Sequence, residues 1–97
     1  PAEVEEALST HPGVADVAVV GVPSELTEEE VKAFVVPAPG DPPDPADLHA
    51  WAAGSLTRYK VPRYIELVDD LPHTPTGRVA KHRLPKERTP AEWDAEA

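Results

Sequence analysis

Cysteine and methionine are absent from this chain of 97 residues, and aromatic side chains are few: one Phe, two Tyr and two Trp. Without cysteine there is no disulfide staple, no thiol nucleophile and no thiolate metal ligand. No apolar run is long enough to span a bilayer and no signal-peptide pattern is seen, so a soluble cytoplasmic protein with no membrane span is expected. The sequence also lacks a Gly-x-x-x-x-Gly-Lys-Ser/Thr phosphate loop, a Gly-x-Ser-x-Gly elbow and a His-Glu-x-x-His motif. His11, His49, His73 and His82 stand too far apart for a short metal motif, so surface or capping roles are expected and no metal site. The length allows one small domain with a modest core. So thin an aromatic complement suggests that a partner surface completes the core. With no Met at position 1, Pro1 is expected to be a boundary within a longer polypeptide.

Cations are scarce as well, and their placement is uneven. Nine Lys and Arg oppose eighteen Asp and Glu, a net charge of −9. Eight of the nine lie between Arg58 and Arg88, where only Glu66, Asp69, Asp70 and Glu87 oppose them, so that stretch carries +4 and the remainder −13. An acidic domain repels a nucleic-acid duplex beyond a Debye length of roughly 8 Å. A phosphate-bearing partner must therefore be met locally by the basic stretch, which favours a nucleotide-sized ligand; solvated surface charge is the plainer alternative.

Residues 3–9 place Val4, Ala7 and Leu8 at helical spacing, with Glu3, Glu5 and Glu6 near the positive end of the helix dipole. His11-Pro12-Gly13 ends that helix. Residues 14–22 are rich in β-branched residues and largely apolar on both faces, the pattern of a buried central strand. A turn through residues 27–30 leads to an antiparallel partner over residues 31–36. Five prolines within 37–45 read as an extended surface connection. Asp44 is an N-cap with Pro45 at the first helical position, and Leu48, Trp51, Ala52, Ser55 and Leu56 mark the core side of a second helix that closes at Tyr59-Lys60-Val61-Pro62. Residues 64–68 alternate as a third strand, residues 69–77 form a loop in which Asp69 and Asp70 cap a turn, and residues 79–84 form one helical turn or a strand end. The fold class expected is α+β, a small sheet with antiparallel strand pairing covered by helices. Residues 1–88 form the domain and residues 89–97 a polar tail.

The chemistry-bearing segment is Leu71-Pro72-His73-Thr74-Pro75-Thr76-Gly77-Arg78. Prolines restrict its approach, Gly77 permits a backbone conformation other residues resist, and Arg78 is then able to project beyond the surface as a finger. Lys81, three residues on, lies on the same face if a helical turn follows. An ordinary Pro/Gly turn bearing a surface Arg is the alternative for the loop taken alone. A second basic block, Arg58-Tyr59-Lys60-Val61-Pro62-Arg63, places two cations beside packing residues.

Together with Pro1-Ala2-Glu3-Val4-Glu5, in this order and spacing, these blocks resemble the C-terminal domain of adenylate-forming (AMP-binding) acyl-CoA synthetases, over about residues 1–84. The resemblance implies a mobile lid on a large N-terminal domain of the same polypeptide. The whole enzyme would be an ATP-dependent acid–CoA ligase that activates a small-molecule carboxylic acid with ATP and Mg²⁺, releases pyrophosphate and forms a thioester with CoA. ATP and Mg²⁺ would be held mainly by the N-terminal domain, and the lid alone would be inactive. In the family the loop usually reads Pro-Thr-Gly-Lys, and its Lys contacts the acyl carboxylate and the α-phosphate oxygens. Here Arg78 stands at that position, with Thr76 and Gly77 beside it as nucleotide-binding residues and Lys81 as a substitute cation. A guanidinium is planar and always charged and binds oxygens bidentately, so the exchange is not neutral. Lys60 and Arg63 are the candidates for the CoA phosphates, or else simply flank packing residues. Residues 25–36 and 76–84 look most like ligases of fatty or carnitine-type acids. The alternatives are the C-terminal subdomain of a peptide-synthetase adenylation domain and a non-catalytic interaction module.

Overall fold

The computed structural model describes residues 2–23, 29–40, 42–54, 61–77, 79–80, 83–84 and 92–95. Helix α1 spans Ala2–Ser9, strand β1 Val14–Pro23, strand β2 Glu29–Pro37, helix α2 Pro45–Ala53, strand β3 Tyr64–Leu67 and strand β4 Trp93–Asp94. The order in the sheet is β1-β2-β3-β4. β1 and β2 are antiparallel, with Val17 opposite Val35 and Val19 opposite Ala33, as their patterns predict.

Pairing in the rest of the sheet is mixed. β3 runs parallel to β2, with Ala33 opposite Ile65 and Val35 opposite Leu67. The reason is the connection: a helix between two neighbouring strands returns the chain to its starting end, where a hairpin would reverse it. β4 then adds antiparallel to β3, Ile65 opposite Trp93. Residues 92–95, expected to be part of a polar tail, thus supply a strand.

β1 also differs from expectation, since it lies at the edge of the sheet order and not in the centre. Its apolar character on both faces follows from cover on both. Val17 and Val19 join Val4, Leu8, Leu48, Ala52 and Ile65 beneath the helices. Ala18, Val20 and Val22 join Phe34, Tyr64, Leu71 and Leu84 on the opposite face, beneath the segment that follows β3. At the edge, the Val19 N–H donates to Glu5 Oε2 of α1 at 2.9 Å, so this donor is satisfied without a neighbouring strand.

Both helix ends follow from local chemistry. α1 closes with Ser9 Oγ donating to Glu6 O and Thr10 Oγ1 to Ala7 O, and Gly13 N–H donates to His11 Nδ1 at 2.9 Å. α2 has Asp44 as N-cap, its Oδ1 accepting from Ala46 N at 3.0 Å, followed by a proline in the first turn. Leu48 and Ala52 are its buried residues, whereas Trp51, expected on the core side, is 40% exposed. The sheet-facing space is already filled by Leu48 and Ala52, so the indole lies across the helix pair instead. Its Nε1–H donates to Ala7 O and Thr10 Oγ1, each at 3.0 Å, and its ring meets His11 edge-on at 4.8 Å. Ser55, Leu56 and Tyr59, which the sequence places at the end of this helix, lie outside the described residues.

Candidate functional site

The loop singled out by its prolines and glycine is a short, anchored hairpin. At its base Leu71 and Ala80 are both 2% exposed. Asp70 Oδ1 accepts from Leu71 N at 2.9 Å. Ala80 N–H donates to Pro72 O at 2.7 Å, and His73 and Val79 form an antiparallel bridge. At the tip Gly77 N–H donates to Thr74 O at 2.9 Å, and the Thr74 and Thr76 hydroxyls lie 2.9 Å apart. Gly77 takes φ = +87°, a conformation L-residues resist, and no heavy atom lies within 4 Å of where its Cβ would stand. Glycine is therefore needed here for backbone geometry and not for space.

The structure brings Thr76 and Gly77 together at an exposed tip. Arg78 follows Gly77 directly and precedes the bridged Val79, so the chain is anchored on both sides of it; Arg78 itself, Lys81 and Lys60 lie outside the described residues. Arg63, the remaining candidate cation, is engaged within the domain. Its Nε donates to Asp94 Oδ1 at 3.1 Å and one terminal nitrogen lies 3.6 Å from Glu30 Oε1, while its guanidinium sits 5.0 Å from the Tyr64 ring.

Two arrangements were not anticipated from sequence. Lys32, the one cation outside the 58–88 stretch, is fully buried on β2, 3.0 Å from Glu66 Oε1 and 2.7 Å from Glu92 Oε1. Its solitary charge inside the run Val31-Lys32-Ala33-Phe34 was the available signal. The second is at the hairpin: His73 Nε2 lies 3.5 Å from Asp16 Oδ2. Asp16 is the one ionisable residue in the apolar run 14–22, and it sits where β1 shifts register between Val14 and Asp16. An open groove of about 610 Å³ runs between α1, the start of β1 and Val79, with Glu5, Glu6 and Asp16 along it. Among the described residues no three His, Cys, Asp or Glu side chains converge to hold a metal ion, and no helix is long and apolar enough to cross a membrane.

Comparison with known proteins follows the same outline. Residues 3–78 match the profile of the AMP-binding enzyme C-terminal domain. The chain is 45% identical over 84 residues to the fatty acid–[acyl-carrier-protein] ligase ScoC of Streptomyces coeruleorubidus, an alignment covering 87% of this chain and 16% of that protein. It is 44% identical over 89 residues to the mitochondrial medium-chain acyl-CoA ligase ACSF2 of Danio rerio, covering 92% and 14%. Among solved structures, the acyl-CoA synthetase of Brucella canis superposes with a TM-score of 0.79 at 41% identity, over 84% of this chain and 16% of that one. The chain thus spans about one sixth of the length of the proteins it matches.

Proposed function

The chain belongs to the AMP-binding enzyme C-terminal domain family, and from that premise we propose that it is the mobile lid of an AMP-forming acid–CoA ligase. The domain would take in residues 1–88 together with β4, which joins the expected tail to the sheet, and its working surface would be the hairpin tip. The observation that carries the reading is the pairing of a hydrogen-bonded stem with an exposed turn in which Gly77 takes φ = +87°, directly before a residue that always bears positive charge. Such a tip, pressed into a nucleotide site on a preceding domain, holds Arg78 beside two anions that must react. There the guanidinium neutralises charge building on the α-phosphate oxygens as the carboxylate attacks, Thr76 supplies a hydroxyl, and Gly77, whose N–H is held by Thr74 O, keeps the turn in shape beside the nucleotide. Lys81 is the second candidate for that charge.

The whole protein would turn a carboxylic acid and ATP into an acyl-adenylate and pyrophosphate, then pass the acyl group to the CoA thiol. Mg²⁺ would accompany ATP on the N-terminal domain, and the site would lie in the cytoplasm. A fatty acid is the favoured substrate class, because the similar proteins ScoC and ACSF2 are a fatty-acid ligase and a medium-chain acyl ligase by name. Lys60 and Arg63 would draw in the CoA phosphates, Arg63 only by giving up Asp94. One small domain with two working faces is able to complete the adenylation site and then rotate to complete the thiolation site. ScoC also raises a second acceptor, since its name specifies an acyl-carrier protein.

Fatty-acid-dependent exchange of pyrophosphate into ATP tests this in the full-length protein. Arg78→Ala is expected to lower exchange by about 100-fold, the order found when one stabilising donor to a reacting oxyanion is removed, with a smaller loss for Lys81→Ala. Exchange that survives Arg78→Ala intact overturns the assignment of the finger. Supplying CoA or a phosphopantetheine-bearing carrier protein as acceptor decides between the two.

A further inference from the structure

We infer that His73 and Asp16 are positioning residues for adenylation, tethering the finger hairpin to the edge of the sheet; this rests on the finger reading above. The hairpin is anchored at its base by Leu71 and Ala80 and through Val79, which packs against the cluster of Leu71 and Leu84, while on the α1 side it forms the rim of an open groove lined by Glu5, Glu6, Asp16 and Val79. The 3.5 Å contact between His73 Nε2 and Asp16 Oδ2 spans that rim. It acts on the strand that carries the tip, since His73 is bridged to Val79 and directly precedes the Thr74–Gly77 turn.

The local sequence brings the two side chains together. The register shift at Asp16 turns its carboxylate off the regular ladder, a usual effect of a bulge on a side chain's direction. Oδ1 is held by the Val17 N–H at 2.9 Å, which aims Oδ2 at the imidazole. Both side chains are about two-fifths exposed, so the pair adds little to stability. Its worth lies in geometry, because a displacement of about 1 Å at a reacting group can cost on the order of 100-fold in rate.

The test uses the full-length enzyme with His73→Ala, Asp16→Asn, the double variant and His73→Arg. Asn keeps the Oδ1 acceptor for Val17 and replaces the charged oxygen facing His73 with an amide NH2. Each single change should lower kcat for pyrophosphate exchange about tenfold with KM for ATP within twofold. The double variant should be no worse than the poorer single, and His73→Arg should restore most of the rate. Thioester formation from supplied acyl-adenylate, and the melting temperature, should stay near wild type. The tether is overturned if both singles exchange normally, or if the two half-reactions and the melting temperature fall together. A wild type without exchange, or an Arg78→Ala variant with full exchange, overturns the finger reading and the tether with it; normal dependence on Arg78 with indifference to His73 overturns the tether alone.

Discussion

Lys32 Nζ lies 2.7 Å from Glu92 Oε1, joining the middle of β2 to the far end of the chain, and neither side chain is more than 1% exposed. Glu66 Oε1 approaches the same ammonium at 3.0 Å, and the Phe34 ring lies 4.6 Å from it. A charge so deeply placed is tolerable only when paired and surrounded by polarisable partners.

Replacing Lys32 with Met removes the buried cation that Glu66 and Glu92 share. Removal of one member of a buried pair costs about 3–5 kcal/mol, a large share of the roughly 5–15 kcal/mol that holds a domain together. Glu92→Gln should cost less, because Lys32 retains Glu66. Thermal unfolding of the chain should therefore rank wild type above Glu92→Gln above Lys32→Met. Equal melting temperatures for all three would show that the triad contributes nothing net.

Arg63 and Asp94 form the second fastening of the same segment, with Ala95 N–H donating to Arg63 O at 2.8 Å and Trp93 tilted against His49 at 5.5 Å between ring centres. Arg63→Ala should accordingly lower the melting temperature by several degrees, at about 4–8 °C per kcal/mol for a domain of this size. In the full-length enzyme it should raise the half-saturating CoA concentration less than Lys60→Ala does. A large rise for Arg63→Ala at an unchanged melting temperature would show that the guanidinium serves CoA and not the tail.

Elements whose signals are local were legible in the sequence. The cap at Asp44, the antiparallel pair over 14–22 and 31–36, and the Pro/Gly loop before Arg78 all depend on neighbours close in sequence. What was hidden depends on long-range partners. The parallel union of β2 with β3 is set by how the helical crossover returns, and the strand at Trp93 by cations sixty and thirty residues upstream. Asp16 and His73 look like isolated polar residues until the hairpin folds back across the sheet. Trp51 was misplaced for a similar reason, because helical spacing alone does not say that its N–H has a carbonyl waiting on α1.

Trp51 should behave as a clasp more than as a core residue. Trp51→Phe keeps an aromatic surface but drops the bond shared by Ala7 O and Thr10 Oγ1, at a cost of about 1 kcal/mol. A core tryptophan cut to alanine would cost about 3–5 kcal/mol; here Trp51→Ala should cost less, given its exposure. Urea unfolding of the three proteins checks this, and a loss in the full core range would return Trp51 to the core.

Gly77 and Gly40 provide an internal comparison for the finger. Both have positive φ, +87° and +115°, and neither would bring a Cβ within 4 Å of another atom. Alanine at either site therefore meets backbone strain alone, about 1–2 kcal/mol. At position 40, in the proline-rich connection, that strain should appear only as reduced stability. At position 77 the chain is able to relieve it by reshaping the exposed turn, which would redirect Arg78. Gly77→Ala should thus reduce pyrophosphate exchange by an order of magnitude or more while Gly40→Ala exchanges normally at a comparable melting temperature. Asn at position 77, which visits this conformation more readily, should recover part of the loss. Equal exchange by both alanine variants would mean that the tip's shape does not direct the catalytic charge.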